Sequence, residues 1–407
     1  MDFRQNHASA GSPSSSTSST SAPNSSRNGG ITINNNNNRN QDDNPMHSWW
    51  ESISRARNTI HALSNILSPS SSSSLNSLAD SDRPAFSLLS SPDAYASIAA
   101  ALSSPLSGTG DDSICQWLYD TYQSSDTELR LVVLSFIPLV AGIYLSRIHS
   151  FSSSSSIVPS LAGFEAVLLV LYSAETKSRA GKPILVTIPD LSQPSLYHAP
   201  RNNKSAASVQ SRPSVGVLSA PLEPQIAVKS TKRACIVGVA LDCYYKQISQ
   251  MPSWSKLEFC QFASDWAGQD CPCKSEFDSV EDDEISDEMR NLQITVNGEN
   301  SAAAKKETRI PLPWELLQPV LRILGHCLLA PLNGEQVKNG AAMAVRSLYA
   351  RASHDLVPQA ILATRSLIQL DKRGREVAKA AAIAANSTGS NANTPKSRKP
   401  EILLVSK

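Results

Sequence analysis

The chain has 407 residues, enough for one large domain or two modest ones, and 41% of them are hydrophobic against 18% charged. A sizeable core is within reach, and the surface must lean on Ser, Asn and Gln. The net charge of +1 argues against a strongly basic nucleic-acid binder, which carries a Lys/Arg stripe and a high pI.

Residues 1–45 are a Ser/Asn/Gly tract with Asn throughout 34–38. They hold too little apolar surface to offset chain entropy and are expected to be disordered. No apolar h-region of a signal peptide opens the chain, and the seven Cys show no framework spacing. Both point to reduced thiols in a cytosolic protein. Residues 46–83 read as a helix plus a Ser-rich linker. Trp49, Trp50, Ile53, Ile60, Leu63, Ile66 and Leu67 recur at helical spacing, and the tract Ser68–Ser74 is expected to end the helix.

Residues 84–385 read as a helical domain. Ser91-Pro92-Asp93 is a helix start ahead of Tyr95, Ile98 and Leu102, and Asp111 or Asp112 caps a helix carrying Ile114, Trp117, Leu118 and Tyr122. Ser125-Asp126 caps the next, whose uninterrupted apolar part, Leu131–Leu145, is 15 residues long. That is short of the roughly 20 needed to cross a bilayer, and Pro138 sits inside it. The following apolar stretch, Ile157–Tyr172, carries Gly163 and Glu165. Both are expected to be buried core helices, and the short Ser linker between them suggests antiparallel neighbours.

Pro183–Pro200 reads as an extended strap across the helices. Ile184–Ile188 is β-branched and apolar, and Pro189, Pro194 and Pro200 follow. Residues 201–228 are polar and Pro-rich, a loop or disordered insertion. A helix resumes at Lys232 with Val237, Leu241, Tyr244, Tyr245 and Ile248 on one side. Ser253 is placed to cap another that carries Trp254, Leu257, Phe262 and Trp266. Residues 274–309, centred on Glu281-Asp282-Asp283-Glu284, form a second, acidic insertion. Helices are expected at Pro313–Leu329, Glu335–Ala352 and Leu356–Leu370, with an Ala-rich and potentially helical stretch from Asp371 to Ala385. Residues 386–407 are a disordered basic tail. Strand signals are nearly absent, and no repeat of fixed period is found. The expected class is all-α: an irregular bundle of antiparallel helix pairs with one extended strap.

Gly108-Thr109-Gly110 lacks the Lys and the strand–helix context of a phosphate loop. No Gly-x-Ser-x-Gly elbow is present. His7, His47, His61, His149, His198, His326 and His354 are scattered, without metal-ligand pairing. Cys271-Pro272-Cys273, with Cys260 and Cys243, is the best metal candidate, yet a lone Cys-x-Cys is weaker than paired Cys-x₂₋₄-Cys, and reduced loop thiols are preferred. His326 and Cys327 lie in an apolar helix and read as core. Glu165 interrupts another, either as a buried carboxylate with a partner or as a solvent-facing one. The reading assigns no catalytic, cofactor-binding or metal residue and no cofactor. Ser12, Ser68, Ser91, Ser104 and Thr394 each precede Pro in segments open to phosphorylation.

One resemblance organises the rest. Thr187-Ile-Pro-Asp-Leu-Ser-Gln-Pro-Ser-Leu-Tyr-His-Ala-Pro200 resembles the Ile-Pro-x-Leu-Ser-x-Pro-Ser-x-Tyr-His motif of the hyccin family. Phe136-Ile137-Pro138 with Tyr144-Leu145, and Glu165-Ala166 with Leu168-Leu169 and Tyr172, are similar to that family's two apolar helices in the same order. Tyr244-Tyr245, Met251-Pro252, Asn333-Gly334 and Arg351-Ala352 are looser matches. The likeness covers about 90–370, apart from the two insertions.

The resemblance implies a helical, non-catalytic subunit of the complex that holds a type III phosphatidylinositol 4-kinase at the plasma membrane. It implies binding to a tetratricopeptide-repeat scaffold, with a separate helical-repeat protein anchoring the assembly. It also implies that Tyr197-His198 ties the strap to the helices. The expected function is therefore a non-enzymatic adaptor supporting phosphatidylinositol 4-phosphate synthesis. It would act in the cytoplasm and peripherally at the plasma membrane, with no nucleic-acid partner and with membrane contact through partners. The alternative is direct binding of anionic lipid through Lys372, Arg373, Arg375, Lys379, Lys396, Arg398 and Lys399.

Overall fold

The structure, a computed structural model, describes residues 45–67, 69–124, 126–152, 160–188, 214–268 and 310–388. In chain order the first helices are α1 (Pro45–Ile66), α2 (Pro69–Ala79), α3 (Pro84–Ser90), α4 (Pro92–Ser103), α5 (Ser113–Gln123), α6 (Thr127–Ser135), α7 (Ile137–Ser152) and α8 (Ala162–Ser178). Two strands follow, β1 (Ile184–Ile188) and β2 (Ser214–Ser219). The chain then forms α9 (Arg233–Lys246), a 3₁₀ turn at Ile248–Gln250, α10 (Ser253–Ala267), α11 (Trp314–Leu329), α12 (Glu335–His354) and α13 (Pro358–Thr388).

Polar residues start several helices where the sequence places them. Ser91 Oγ accepts from the Ala94 N–H at 3.2 Å, with Pro92 at the first helical position. Asp112 accepts from the Ile114 and Cys115 N–H groups, and Asp126 from those of Glu128 and Leu129. The apolar run after Asp126 is broken at Phe136, and Pro138 falls in the first turn of α7, where a backbone N–H would have no intrahelical acceptor and its absence costs no helical hydrogen bond. By length and composition Thr127–Ser150 suffices to cross a membrane, but 72% of its most apolar window is buried inside the fold. That burial matches a core helix pair.

Three expectations are corrected. α1 ends at Ile66, just ahead of the Ser tract as expected, but the tract is not a linker: the chain re-enters a helix at Pro69, because burying Leu75 and Ala79 outweighs the poor helix propensity of Ser. The expected single strap is in part a hairpin. β1 pairs antiparallel with β2, in register Leu185↔Val217 and Thr187↔Val215, and β2 lies within the 201–228 stretch read as a loop. Pairing satisfies backbone groups that Ser214, Gly216 and Ser219 gave little reason to expect in a strand. Finally, the stretches expected at Leu356–Leu370 and Asp371–Ala385 form one helix, α13, which begins at Pro358, after Leu356 at φ +53°, and runs to Thr388, three residues into the expected disordered tail. An Asp371–Arg375 pair, 3.0 Å, spans Gly374.

The main core cluster runs from Ile60 to Ala360, and Ala56, Ala85 and Leu129 form a small second one. α10 packs on α7 and α12, α9 on α8 and α11, α12 on α13, and α5 on α8. Tyr144, Phe164, Tyr244, Phe259 and Trp266 are its largest fully buried side chains, each stabilising the fold by roughly 1.5–3 kcal/mol or more. At Gly238 the helices touch backbone to backbone: a Cβ there would lie 2.3 Å from the Glu315 carbonyl oxygen. The 274–309 insertion, Cys271 and Cys273, residues 1–44 and the tail from 389 lie outside the described residues.

Candidate interaction surface

The residues that drew attention in the sequence resolve into packing roles. Cys243 and Cys260 are buried on α9 and α10. Burial, helped by Glu175, pushes the Cys243 thiol up to about 12. A hydrogen bond with Cys327, then burial, holds Cys260 well above the ordinary thiol range. Such thiols stay protonated and poorly reactive. Among the described residues no group of three His, Cys, Asp or Glu side chains converges on one point. His326 is half-buried, and burial followed by the Lys256 charge lowers its pKa. Glu165 has a partner: the Tyr144 hydroxyl donates to it at 2.9 Å and itself accepts from Arg233 Nε at 3.2 Å.

Sequence reasoning missed a buried ion network. Glu175 on α8 accepts from Arg179, just past that helix, and from Lys246 on α9. Arg179 Nη2 also lies 3.8 Å from Asp242, and Asp242 accepts from Arg322 of α11 at 2.8 Å. The Arg322 guanidinium stacks 4.1 Å over the Tyr245 ring. Burial pushes the Glu175 carboxyl up, but the Lys246 and Arg179 hydrogen bonds hold it below its ordinary value. For Asp242 burial wins over Arg322 and Arg179, and the value is raised. The i, i+4 spacing of Glu175 and Arg179 was the one local signal of this network. Its other members meet only because α8, α9 and α11 pack together. A cleft of about 870 Å³ opens beside it, lined by Arg83, Tyr122, Arg130, Glu175, Cys243 and Lys246. Its two carboxylates are already paired, Glu175 with Arg179 and Lys246 and Glu128 with Arg83.

The same network fixes the root of the hairpin. Arg179 Nη1 donates to the Ser219 hydroxyl at 2.7 Å, at the end of β2. Gly181, at φ +70°, turns the chain into β1, and its carbonyl accepts from the Leu222 N–H at 3.0 Å. Leu222 is buried, and the Tyr172 hydroxyl donates to the Glu223 carbonyl at 2.8 Å. Beyond this root the ribbon leaves the body. Leu185 is 57% and Val217 65% exposed, and Val186, Ile188 and Val215 are exposed with them. Neither strand carries a charge. A two-stranded apolar ribbon is marginal in water by itself, and among the described residues no third strand covers either outer edge.

A second exposed apolar feature stands on α1, where Trp49 and Trp50 meet edge to face at 5.0 Å and are 52% and 55% exposed. They sit beside Met46, while Ile53, Ile60 and Leu63 on the same helix are buried.

The strap motif divides at the ribbon. Thr187 and Ile188 belong to β1, and Pro189–Pro200, with Tyr197 and His198, lies outside the described residues. The looser matches are structural. Asn333 closes the end of α11, donating to the His326 and Cys327 carbonyls at 2.9 and 3.0 Å while accepting from buried Lys256 at 2.9 Å. Arg351 donates to the Trp266 and Ile310 carbonyls. Met251 is buried, and Pro252 precedes α10. A sequence-family model described as Hyccin matches residues 79–399, which takes in every helix from α3 to α13 and leaves out α1.

Proposed function

The chain belongs to the hyccin family, and on that premise we propose that it is a non-enzymatic adaptor subunit of a phosphatidylinositol 4-kinase complex. In this reading it binds a tetratricopeptide-repeat scaffold and stabilises it. Through that scaffold and a separate helical-repeat anchor, the kinase is kept at the plasma membrane for phosphatidylinositol 4-phosphate synthesis. The chain itself is cytoplasmic and peripheral.

The observation that carries the reading is the apolar ribbon on a rigid root. Leu185, Val186, Ile188, Val215 and Val217 are exposed without a charged neighbour on either strand. The Arg179–Glu175–Asp242 network ties that ribbon to three core helices. Exposed apolar area held in a fixed geometry loses little entropy when a partner covers it. An interface of standard size buries roughly 800 Å² on each side, so a scaffold seated on the ribbon would extend over neighbouring surface as well. Affinity purification of the full chain tests the reading, through recovery of a repeat scaffold and a phosphoinositide kinase.

A further inference from the structure

We propose that the free end of the α11–α12–α13 stack is a docking face for an anionic bilayer surface, giving the chain a lipid contact of its own besides any contact made through partners. The face is built from two parts. One is the projecting half of α13. The Gly325 backbone of α11 lies beside Leu367, and Arg375 reaches Glu335, the first residue of α12, at 3.3 Å. α12 and α13 are antiparallel neighbours joined by the short turn Asp355–Val357. Past Arg375, α13 therefore runs beyond the start of α12, and residues 376–384 are all exposed. The other part is the turn between α11 and α12 at the same end, where Leu332 is 97% exposed next to exposed Leu329. Among the described residues, nothing lies within 4 Å of a Cβ position at Gly334 or Gly374.

Charge selects the occupant. Arg365, Lys372, Arg373, Arg375 and Lys379 stand against Asp371 and Glu376 on α13, a net +3 on one helix in a chain whose total is +1. Lys372, Arg373 and Lys379 are exposed. Leu370, Gly374, Val377, Ala381 and Ala384 follow one another at three- and four-residue steps, so they share one face. Arg365, Lys372 and Lys379 recur every seven residues along the opposite side. An amphipathic helix with Lys and Arg on its polar face and a shallow apolar strip suits the boundary of an anionic leaflet. A protein hot spot instead calls for aromatic anchors and a cleft, and α13 carries no aromatic residue. A single such helix binds weakly and reversibly. It supplements recruitment through partners and orients the subunit on the surface.

The test is sedimentation of the full chain with mixed phosphatidylcholine–phosphatidylserine vesicles and with pure phosphatidylcholine vesicles. Binding is expected to the anionic vesicles only, and to weaken as salt is raised. At about 1 kcal/mol per charge near the surface, the combined variant K372E/R373E/K379E should bind about a hundredfold less tightly or worse. L332S should lose a smaller factor. All four positions are exposed, and a circular dichroism melt checks that the variants stay folded. Equal binding to neutral and anionic vesicles, or undiminished binding by the triple variant, overturns the proposal. So does loss of a protein partner by that variant when the wild-type chain binds no vesicle, since the face is then a protein-docking surface. Retention of the repeat scaffold by the triple variant is the expected control, and it separates a failure here from a failure of the adaptor reading.

Discussion

Arg179 donates to the Ser219 hydroxyl at 2.7 Å while its other nitrogens face Glu175 and Asp242. One side chain therefore neutralises buried carboxylates and holds the root of the exposed ribbon. Arg179→Ala leaves each carboxylate one cation, Lys246 or Arg322. The expected loss is about 2 kcal/mol of unfolding free energy, read by denaturant titration. Hydrogen exchange in Ile184–Ile188 and Ser214–Ser219 should quicken by more than that in α10. Unchanged exchange there would show that the ribbon is held by something else.

The network also sets an acid limb. The folded Glu175 pKa lies below its ordinary value of 4.5. Its stabilising contribution is complete above 4.5 and is lost as pH falls through the lower, folded value. Asp242 has the opposite sign: its value is raised above 3.8, so relative to neutral pH its protonation favours the folded state. Glu175→Gln should therefore flatten the fall in stability below pH 4.5 while lowering stability at neutral pH. A variant curve parallel to the wild type through that range speaks against the assignment.

Asn333 links α11 to α10 with three hydrogen bonds, two donated to carbonyls and one accepted from Lys256. Asn333→Ala strands a buried ammonium and two helix-end carbonyls, at an expected cost of about 3 kcal/mol. Adding Lys256→Met should recover part of that loss, because the orphaned charge is removed. Strict additivity in the double-mutant cycle would mean that the two side chains do not interact.

Gly238 faces the Glu315 carbonyl at a distance that no side chain tolerates. Gly238→Ala should force α9 and α11 apart and lower stability by about 2 kcal/mol or more, despite the better helix propensity of Ala. A stabilised variant would contradict the close approach.

Much of this architecture was legible residue by residue. Ser91, Asp112 and Asp126 advertise helix starts because a short polar side chain before an apolar run can do little else as well. The helix that begins at Asp126 was correctly read as core, since Pro138 divides it and its apolar residues lack a polar face. The misses have equally definite causes. β2 hides behind Ser214, Gly216 and Ser219, whose pairing partners Ile188, Val186 and Ile184 lie far back in the chain, beyond a long connection. Gly374 and the charges around it look like a helix end, yet the Asp371–Arg375 pair carries α13 through them. The buried network was invisible because Glu175, Asp242 and Arg322 each resemble ordinary surface charges until three helices converge. The strap motif carries the family resemblance, and its first two residues, Thr187 and Ile188, end β1, one half of the exposed ribbon.

Leu185→Asp with Val217→Asp places two charges on an exposed surface; as cross-strand partners they repel and loosen the ribbon locally, but the melting transition of the helical body should shift by little, within about 0.5 kcal/mol per site. Loss of folding on this change would show that the ribbon is an integral part of the core.

The most direct measurement is affinity purification of the full chain from cells, wild type beside L185D/V217D, with quantitative identification of what is retained. The wild-type chain should bring down a tetratricopeptide-repeat scaffold together with a phosphatidylinositol 4-kinase, and the variant should lose both while remaining folded. Recovery of neither by the wild-type chain would contradict the adaptor account, and undiminished recovery by the variant would contradict the ribbon as the surface that carries it.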